Sequence, residues 1–438
     1  MGIKTAKFGG TSLCGSEQFR KVRAIVEADP ERRYVIPSAP GKRCLSDSKV
    51  TDLLYICHAM IQQSLPFQDV FAVIGQRFRE IAEQLGLTID VQSFLDRIAG
   101  DMQAGASLAY VASRGEYLSG RILADYLGCE FIDAAEIIKF NDRGFLDFDG
   151  TQAVMHQRLA KTSQAVIPGF YGAMPDGTIQ TFSRGGSDIT GALVARAAEA
   201  SVYENWTDVS GFLMADPRLV HRPRHINVIT YKELRELAYM GANVLHEDSI
   251  YPVRLAGIPV NIRNTNDPQH PGTLIVQKTD AEVLPGAITG IAGRKDFTII
   301  SIEKALMHYE LGFVRRLLSI LENHGISFEH LPSGIDHVSL VILDEQLNGK
   351  LDSVIEDVWS QVHPDSVEVV QDIALISTVG VGMAYTPGIA ARLFGALAES
   401  GINIRMIDQG ASEINIIVGV QEDDFERAIR TIYKAFVF

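Results

Sequence analysis

Apolar and polar positions alternate in two distinct patterns along the chain. In the first two-thirds, short apolar runs such as 34–36 and 165–167 end in turns rich in proline and glycine. Between them, residues 51–128 have a largely helical period, with one apolar stripe over 74–85. This alternation predicts an α/β domain, a mainly parallel sheet sandwiched by helices. Such sheets bind ligands at the carboxyl ends of their strands.

After residue 290 the chain gives two successive units of similar pattern. Each has an apolar strand, an amphipathic helix and further strands, which predicts the β-α-β-β-α-β order of a ferredoxin-like fold. The glycines of the first unit recur 76 positions later, and this constant offset indicates an internal duplication. The matched pairs are Gly312 with Gly388, Gly325 with Gly401, and Gly334 with Gly410.

The pattern therefore predicts three domains, 1–290, 298–370 and 371–438. We also consider that the final segment pairs back with the first of the two repeated units.

Composition excludes several classes of partner. The formal net charge is -14 at pH 7, so nucleic-acid phosphates and anionic membranes would repel the chain. No apolar run approaches the roughly 18 residues that span a bilayer, and the N-terminus lacks a signal peptide's apolar core. The four cysteines have no metal-ligand spacing. We expect a cytoplasmic protein with reduced thiols, no protein-bound metal cluster, no nucleic acid and no membrane.

Two motifs with paired glycines are candidate binding sites for anionic groups. Gly9 and Gly10 follow the first strand, where backbone N–H groups can approach phosphate oxygens and Lys7 adds a mobile charge. No Walker A motif is present. In the second motif, 183–188, Arg184 can hold a carboxylate with two hydrogen bonds. Asp188 can orient a lysine or help to hold a magnesium-bound nucleotide, or it can cap the following helix.

Three further candidates have ordinary alternatives. Glu116 can meet an ammonium group, although an isolated helical glutamate is commonly just solvated. The polar stretches 206–209 and 216–218 can frame an adenine and ribose, or simply form a capped turn.

Together these motifs resemble the aspartate kinases, a family of the amino-acid-kinase superfamily with two C-terminal amino-acid-sensing ACT domains. The similarity runs over nearly the whole chain and is carried by 7–12 (K-F-G-G-T-S), 184–188 (R-G-G-S-D), 206–209 (W-T-D-V), 216–218 (D-P-R), 258–265, 387–388 and 412–414.

The resemblance implies transfer of the ATP γ-phosphoryl group to the β-carboxylate of L-aspartate, with Mg²⁺ held mainly through the nucleotide. Lys7 would stabilise the phosphoryl group and Asp188 would organise that cluster. Glu116 would bind the substrate ammonium and Arg184 its α-carboxylate. The other implied aspartate ligands are Ser38, Thr51, Phe170 and Ser187, and the implied nucleotide ligands are Gly9, Gly10, Thr207, Asp208, Asp216 and Arg218.

The resemblance also implies feedback control. An amino-acid effector, lysine or threonine, would bind the ACT units, which would in addition pair across a homodimer. The resemblance implies the first step of lysine, threonine and methionine biosynthesis. Because the sequence ends after the second ACT unit, we expect no fused homoserine dehydrogenase. The implied effector ligands are Met307, Gly312, Phe313, Ser327 and Glu329.

The chemistry fits this reading. A carboxylate nucleophile with a pKa of about 3.9 is already ionised at neutral pH, so no general base is needed. The acyl phosphate product is prone to hydrolysis, and we expect the 37–51 loop to close and exclude water.

The nucleotide side departs from the family pattern. Asn243 stands where relatives have a lysine that contacts ATP, Glu247 adds an opposing charge, and Leu213 replaces a common tyrosine. These changes suggest weak ATP affinity, another donor preference or a mainly regulatory protein. Two alternatives to an active aspartate kinase stay open at this point. One is a kinase for glutamate or a related carboxylate, and the other is a ligand-sensing regulatory protein with an impaired kinase domain.

Overall fold

The computed structural model describes residues 2–183, 185–241, 245, 247–278 and 288–437. The chain forms two compact units. The first comprises Met1–Phe212, Asn227–Tyr231 and Val244–Lys278, and the second comprises Leu213–Ile226, Lys232–Asn243 and Thr279–Phe438. Two stretches between 213 and 243 thus group with the C-terminal residues. As a division into one catalytic and two regulatory domains, the boundaries 1–290, 298–370 and 371–438 stay a prediction.

The first unit is built on an eight-stranded sheet in the order β10-β12-β11-β7-β1-β2-β4-β3, in which the β11–β12 pair alone is antiparallel. The predicted mainly parallel sheet is confirmed. The strands of this part of the chain are β1 (Lys4–Phe8), β2 (Arg32–Pro37), β3 (Glu130–Phe131), β4 (Ala165–Val166), β5 (Tyr171–Ala173), β6 (Ile179–Thr181), β7 (Val202–Thr207), β8 (Phe212–Leu213), β9 (His225–Ile226), β10 (Val228–Thr230), β11 (Val260–Asn264) and β12 (Thr273–Val276).

Helices cover this sheet with apolar faces. On α3 the predicted stripe is confirmed, because Ile74, Phe78 and Ile81 are buried in the main core with Phe8 and Phe19. The helices of the first unit are α1 (Ser16–Glu27), α2 (Val50–Gln62), α3 (Gln68–Gln84), α4 (Val91–Gln103), α5 (Leu108–Leu127), α6 (Ala134–Ile137), α7 (Phe148–Leu159), α8 (Gly186–Ala197) and α10 (Tyr251–Ala256), with 3-10 turns at Gly10–Leu13 and Glu247–Ile250. Helix α9 (Tyr231–Tyr239) belongs to the second unit from Lys232 onward.

The carboxyl ends of four neighbouring parallel strands, β7, β1, β2 and β4, meet at one edge of the sheet. Backbone bonds tie the loops together just beyond these strands. The Gly9 N–H donates to the Trp206 carbonyl (2.9 Å), that of Ser38 to Phe8 (3.1 Å), and that of Gly169 to Pro37 (3.1 Å). Lys7, Gly9, Gly10, Ser38 and Phe170 of the predicted kinase site lie at or just beyond these strand ends.

The second unit contains a five-stranded antiparallel sheet in the order β14-β13-β15-β17-β16. Its strands are β13 (Gly290–Glu303), β14 (His337–Leu343), β15 (Ser366–Val379), β16 (Met406–Asp408) and β17 (Asn415–Gln421). Its helices are α11 (Phe313–Asn323), α12 (Asp344–Leu347), α13 (Leu351–Val362), α14 (Ile389–Glu399) and α15 (Phe425–Val437), with 3-10 turns at Met307–Tyr309, Val381–Tyr385 and Glu422–Asp424.

The duplication is visible in the backbone. Gly312 and Gly388 occupy the N-caps of α11 and α14, both left-handed, with φ of 77° and 90°. Gly325 and Gly401 follow the ends of these helices at φ of 63° and 65°. Such left-handed positions favour glycine, which has no Cβ to clash with the backbone. The predicted pair of ferredoxin-like units is therefore confirmed.

One detail of strand pairing differs from the expectation. The final segment is helix α15, because Phe425, Ala428, Ile429, Ile432 and Tyr433 recur on one buried face. It therefore supplies no strand that pairs back. Instead the start of β13, residues 290–294, pairs with residues 375–379 of β15 and completes the second half of the sheet.

None of the helices in the described part of the chain is long and apolar enough to cross a membrane.

Candidate active site

Lys7 lies near the end of β1 and is 8% exposed. Its Nζ is 2.6 Å from Asp188 Oδ1 and 3.4 Å from Asn205 Oδ1. The Asn205 amide nitrogen donates to the same Asp188 oxygen at 2.8 Å. Asp188 therefore holds the lysine from one side and Asn205 fixes that carboxylate from the other. A cation held in this way is pre-positioned to stabilise negative charge that develops on a transferring group.

Asp188 lies in the first turn of α8, where a carboxylate also interacts favourably with the helix dipole. The N-cap is Gly185, in the left-handed region at φ 58°, and it makes no side-chain cap bond. The alternative that Asp188 caps this helix is therefore wrong. Among the described residues, its carboxylate accepts no backbone N–H and bonds to Lys7 and Asn205 instead.

Gly9 and Gly10 lie at a close crossing of two loops. The Gly41 N–H donates to the Gly10 carbonyl at 2.7 Å, and a Cβ on Gly10 would lie 2.8 Å from the Ala39 carbonyl oxygen. Because a real Cβ does not approach backbone this closely, only glycine fits at position 10. The amide of Gly9 is already bonded to Trp206. Gly10 thus sets the distance between the two loops.

Glu116 projects from α5 into this region and is only 5% exposed. Burial is the main cause that raises the pKa of Glu116 to about 8, partly opposed by the hydrogen bond from the Ala39 N–H. Its Oε2 atom has no hydrogen-bond partner among the described residues. The alternative of an ordinary solvated helical glutamate is wrong. A buried carboxylate with an unsatisfied oxygen is suited to a cationic ligand group, since burial without a partner is costly.

Ser38 and Thr51 bracket the 37–51 loop. Ser38 directly follows β2, whereas Thr51 lies in the first turn of α2, whose first amide, at Val50, donates to the Pro40 carbonyl at 3.1 Å. Both side chains are half-buried. The loop begins and ends next to the Gly10 crossing.

Arg77 on α3, which the sequence did not single out, holds this loop in place. Its guanidinium is 4% exposed and donates to the carbonyls of Gly41, Cys14 (3.0 Å) and Ser48 (3.1 Å), with Asp47 at 3.5 Å. Three backbone carbonyls from two loops thus share one buried cation. We infer that any closure of the 37–51 loop is confined to residues between Gly41 and Ser48.

Replacing Arg77 by methionine is expected to cost about 3 kcal/mol of unfolding free energy, because three buried carbonyls lose their donor. If the loop helps to bind substrate, the KM for aspartate rises about tenfold at the same time. Chemical denaturation and steady-state kinetics measure the two effects. The exposed Arg79→Met on the same helix is the control. A destabilised Arg77→Met protein with normal KM would assign Arg77 to stability alone.

Phe170 lies in the loop after β4, and Ser187 lies in the first turn of α8. Phe170 has φ of 81°, unusual for a side chain of this size, and its N–H donates to Thr190 Oγ1 at 3.2 Å. A Cβ on Gly186 would lie 2.6 Å from the Phe170 ring, and one on Gly169 would lie 2.6 Å from Ser187. Ser187 is therefore packed at the start of α8 beside Asp188. Arg184, the predicted carboxylate ligand, lies outside the described residues.

The predicted nucleotide ligands fall in both units. Thr207 ends β7 in the first unit, and its Oγ1 is 3.1 Å from an Asp208 carboxylate oxygen. Asp216 and Arg218 belong to the second unit. There the Arg218 N–H and side chain both donate to Asp216, the latter at 2.6 Å, as in the capped turn that the sequence left open. Asn243 lies outside the described residues.

The predicted effector residues all belong to the second unit. Met307 and Phe313 are buried in the core under α11, and Gly312 caps that helix. Ser327 is exposed, while the Glu329 carboxylate accepts a hydrogen bond from Tyr239. All five residues therefore lie in the first of the two ferredoxin-like units, at or near the two ends of α11.

Beside Lys7 the structure also contains a buried ion pair, Arg32 with Glu204, that the sequence did not predict. Glu204 on β7 pairs with Arg32 at 2.7 Å and accepts from Trp206 Nε1 at 2.9 Å. The Trp206 ring stacks on Phe8, with centroids 5.9 Å apart. The adjacent polar pair Glu204–Asn205, flanked by apolar and aromatic residues in β7, was the available signal for these two positions.

Comparison with known proteins agrees with this arrangement. The amino acid kinase family model matches residues 4–264, and an ACT domain model matches residues 376–436. The chain belongs to the amino acid kinase family. Aspartokinase 3 of Bacillus subtilis (strain 168) is 37% identical over 453 residues, which cover 99% of this chain and 98% of that protein. The predicted resemblance to the aspartate kinases is confirmed, and the chain is an enzyme of this kinase family.

Solved structures of other amino acid kinase family members have the same fold. The aspartate kinase of Clostridium acetobutylicum is 54% identical, covers 100% of both chains and superposes with a TM-score of 0.93. Aspartokinase III of E. coli, solved with aspartate and ADP, is 26% identical with a TM-score of 0.71, covering 99% of each chain. The same enzyme with lysine and aspartate gives 28% and 0.72, again over 99% of each chain.

Proposed function

We propose that this enzyme transfers the γ-phosphoryl group of ATP to the β-carboxylate of L-aspartate, giving 4-phospho-L-aspartate. The observation that carries the proposal is the buried Glu116 carboxylate, whose Oε2 has no partner among the described residues. A carboxylate of this kind suits the ammonium group of an amino acid. A neutral substrate would leave the buried oxygen without compensation.

Lys7 is the proposed electrostatic catalyst. The aspartate β-carboxylate is ionised at neutral pH, so the barrier comes from bringing two anions together rather than from removing a proton. The Lys7 ammonium, held at 2.6 Å by Asp188, offsets part of that repulsion. Asn205 keeps the Asp188 carboxylate turned toward the lysine. These residues position charge and move no proton.

On the acceptor side, Glu116 and Arg184 are the proposed partners of the substrate ammonium and α-carboxylate. Ser38, Thr51, Phe170 and Ser187 are the proposed further contacts. Ser38 and Ser187 follow neighbouring parts of the sheet edge, because the Gly169 N–H bonds to Pro37 and Gly169 packs on Ser187. This closeness supports a shared aspartate pocket.

On the donor side, Gly9, Gly10, Thr207, Asp208, Asp216 and Arg218 are the proposed nucleotide contacts. The E. coli enzyme has been solved with ADP, which supports ATP as the donor here. No group of three or more metal-ligating side chains is found within the described ranges. We therefore propose that Mg²⁺ is held mainly through the phosphates, where it would neutralise their charge.

We further propose feedback control by lysine or threonine at the second unit, because the related E. coli enzyme has been solved with lysine. The proposed contacts are Met307, Gly312, Phe313, Ser327 and Glu329. A cytoplasmic homodimer paired through the ACT sheets, acting in the first step of lysine, threonine and methionine biosynthesis, completes the proposal.

Trapping the acyl phosphate with hydroxylamine tests the reaction directly. We expect hydroxamate to form from ATP and L-aspartate, and not from ATP and L-glutamate. Formation with glutamate would instead support the second kinase reading. If neither carboxylate gave hydroxamate, the proposed reaction would be wrong and a regulatory role would replace it. Titrating the same assay with lysine, threonine and methionine identifies the effector.

The Asn243→Lys variant tests the nucleotide side. Restoring the lysine of relatives adds one charged phosphate contact, which is worth on the order of 2 kcal/mol. We expect the KM for ATP to fall about tenfold or more while the KM for aspartate stays unchanged. Asn243→Gln, which adds length without charge, is the matched control. A KM for ATP that stays constant or rises would show that this chain binds the phosphates by another route.

A further inference from the structure

A second polar cavity lies in the first unit, on the other side of helix α5 from Glu116. Its volume is about 650 Å³, which is within the range of small-molecule sites. Helix α4, the 104–107 loop, helix α5 and the 177–179 turn form its walls. Because Arg114 and Glu116 are two residues apart, they point about 200° apart around the helix. The cavity is therefore separate from the proposed aspartate pocket.

Arginines dominate the chemistry of this cavity. Arg114 and Arg121 lie seven residues apart on one face of α5, and Arg97 faces them from α4. Arg114 is only 6% exposed. None of the three makes an ion pair with a carboxylate within the described part of the chain. Unpaired guanidinium groups in a partly desolvated cavity attract anions more strongly than they would on an open surface.

Aromatic rings orient the two arginines of α5. The Arg114 guanidinium lies over the rings of Tyr110 (4.2 Å to the centroid) and Tyr117 (4.8 Å). The Arg121 guanidinium lies 4.3 Å from the Phe131 centroid, and its Nε donates to Tyr117 Oη at 3.2 Å. Arg114 also donates from Nε to the Tyr110 carbonyl (3.2 Å) and from Nε and Nη2 to the Ser113 hydroxyl (3.2 and 2.9 Å), which leaves its Nη1 group for a ligand. Arg121 uses only Nε in this way, which leaves both of its Nη groups. These contacts hold the cations in place without neutralising them.

The two aspartates of the cavity wall are already engaged by hydroxyl groups. Asp101 accepts a hydrogen bond from Tyr110, and Asp133 accepts one from Tyr171 at 2.8 Å and caps the Ala135 N–H at 3.0 Å. The wall therefore carries three arginines against two aspartates, and neither aspartate pairs with an arginine. In a chain of net charge -14, this local excess of positive charge is unusual.

We propose that this cavity binds a small organic anion, a molecule that carries a carboxylate or a phosphate group. Arg121 holds its charged group through its two Nη groups, Arg114 donates through Nη1, and Arg97 adds a third cation at the mouth. Phe94, Ile98 and Ile179 line the cavity beside the arginines and cover the organic part. The site is additional to the aspartate, nucleotide and effector sites proposed above.

Calorimetric titration of the full chain with citrate and, separately, with inorganic phosphate tests the proposal. We expect saturable binding of at least one anion with one site per chain. Arg121→Gln and Arg97→Gln should each weaken it about tenfold, as expected for loss of a charge-assisted contact. Arg97 is exposed, so its replacement keeps the test valid if Arg121→Gln does not fold. The exposed Arg143→Gln is the matched control and should bind normally.

A Lys7→Met variant separates this cavity from the kinase site. Binding that persists in Lys7→Met and weakens in Arg121→Gln supports the proposal, whichever of the two anions binds. The proposal is overturned if neither anion shows saturable binding, or if binding is lost in Lys7→Met and kept in both arginine variants. Stronger binding of citrate would identify a carboxylate ligand, and stronger binding of phosphate a phosphate ester.

Discussion

Replacing Lys7 by methionine is expected to lower kcat for aspartate phosphorylation by about three orders of magnitude, with a much smaller change in either KM. Methionine keeps the length of the side chain and removes the charge. The lost interaction is one that grows as negative charge develops on the transferring group, so the effect falls on kcat. Coupled steady-state kinetics of ADP release measures it. A decrease of less than about tenfold would contradict the assignment of Lys7 as the electrostatic catalyst.

Two controls make this experiment specific. Lys4→Met removes a lysine at the opposite end of the same strand, where Lys4 pairs with Asp29 at 2.7 Å, and should leave kcat unchanged. Lys7→Met also leaves the Asp188 carboxylate without its cation, which destabilises the fold. The double variant Lys7→Met/Asp188→Asn removes both charges. It should fold like the original chain and remain as slow as the single variant.

The parts of the site that are contiguous in sequence were predictable. Lys7 with Gly9 and Gly10, and Ser187 with Asp188, are short motifs at strand or helix ends, and a parallel sheet brings such ends to one edge. The salt bridge between Lys7 and Asp188 follows from that rule. Which strands are neighbours, and so which strand ends lie next to Lys7, came only from the structure, because apolar patterning alone does not determine strand order.

Residues that act across long distances in the sequence were not predictable. Arg77 reads as one arginine on an amphipathic helix, yet its guanidinium is buried under carbonyls of Cys14, Gly41 and Ser48. Asn205 is one polar residue within a strand until β7 is placed beside β1. In both cases tertiary neighbours, rather than local propensity, determine what the side chain contacts.

The stretch from 213 to 226 belongs to the second unit, which its place in the sequence did not indicate. Asp216 and Arg218 follow Thr207 and Asp208 closely in the sequence, which suggested one continuous nucleotide loop. However, Ala215 and Val220 are buried with the core of α14 and α15, and the Ile291 N–H donates to the Met214 carbonyl at 2.7 Å. Apolar residues between the polar motifs anchor this stretch in the second unit.

The second large expected effect is on the KM for aspartate, and it comes from Glu116. Its pKa of about 8 means that most of the ligand-free protein carries a protonated Glu116 at pH 7. An ammonium group requires the ionised form, so aspartate binding must release this proton. We therefore expect the KM for aspartate to fall about tenfold per pH unit between pH 6 and about pH 8, and to level off above that.

Glu116→Gln keeps the shape of the side chain and removes this titration. The KM for aspartate should rise about a hundredfold at pH 8, since a buried charged hydrogen bond is lost, and its dependence on pH should disappear. A KM that changes less than about threefold, or keeps its pH profile, would contradict the role of Glu116.

The pH dependence of the unfolding free energy tests the protonation of Glu116 independently of its role in binding. The folded-state pKa of Glu116 is raised above the unfolded value, so its carboxyl disfavours the folded state increasingly as pH rises from about 4.5 to 8, and no further above 8. Glu116→Gln should therefore unfold at higher denaturant concentration than the original chain at pH 8, and at a similar concentration at pH 5. Saturating aspartate should reverse that order at pH 8, because only the glutamate can pair with its ammonium group. A variant that gained stability at pH 8 and lost affinity for aspartate would show that the buried charge is kept for binding rather than for folding.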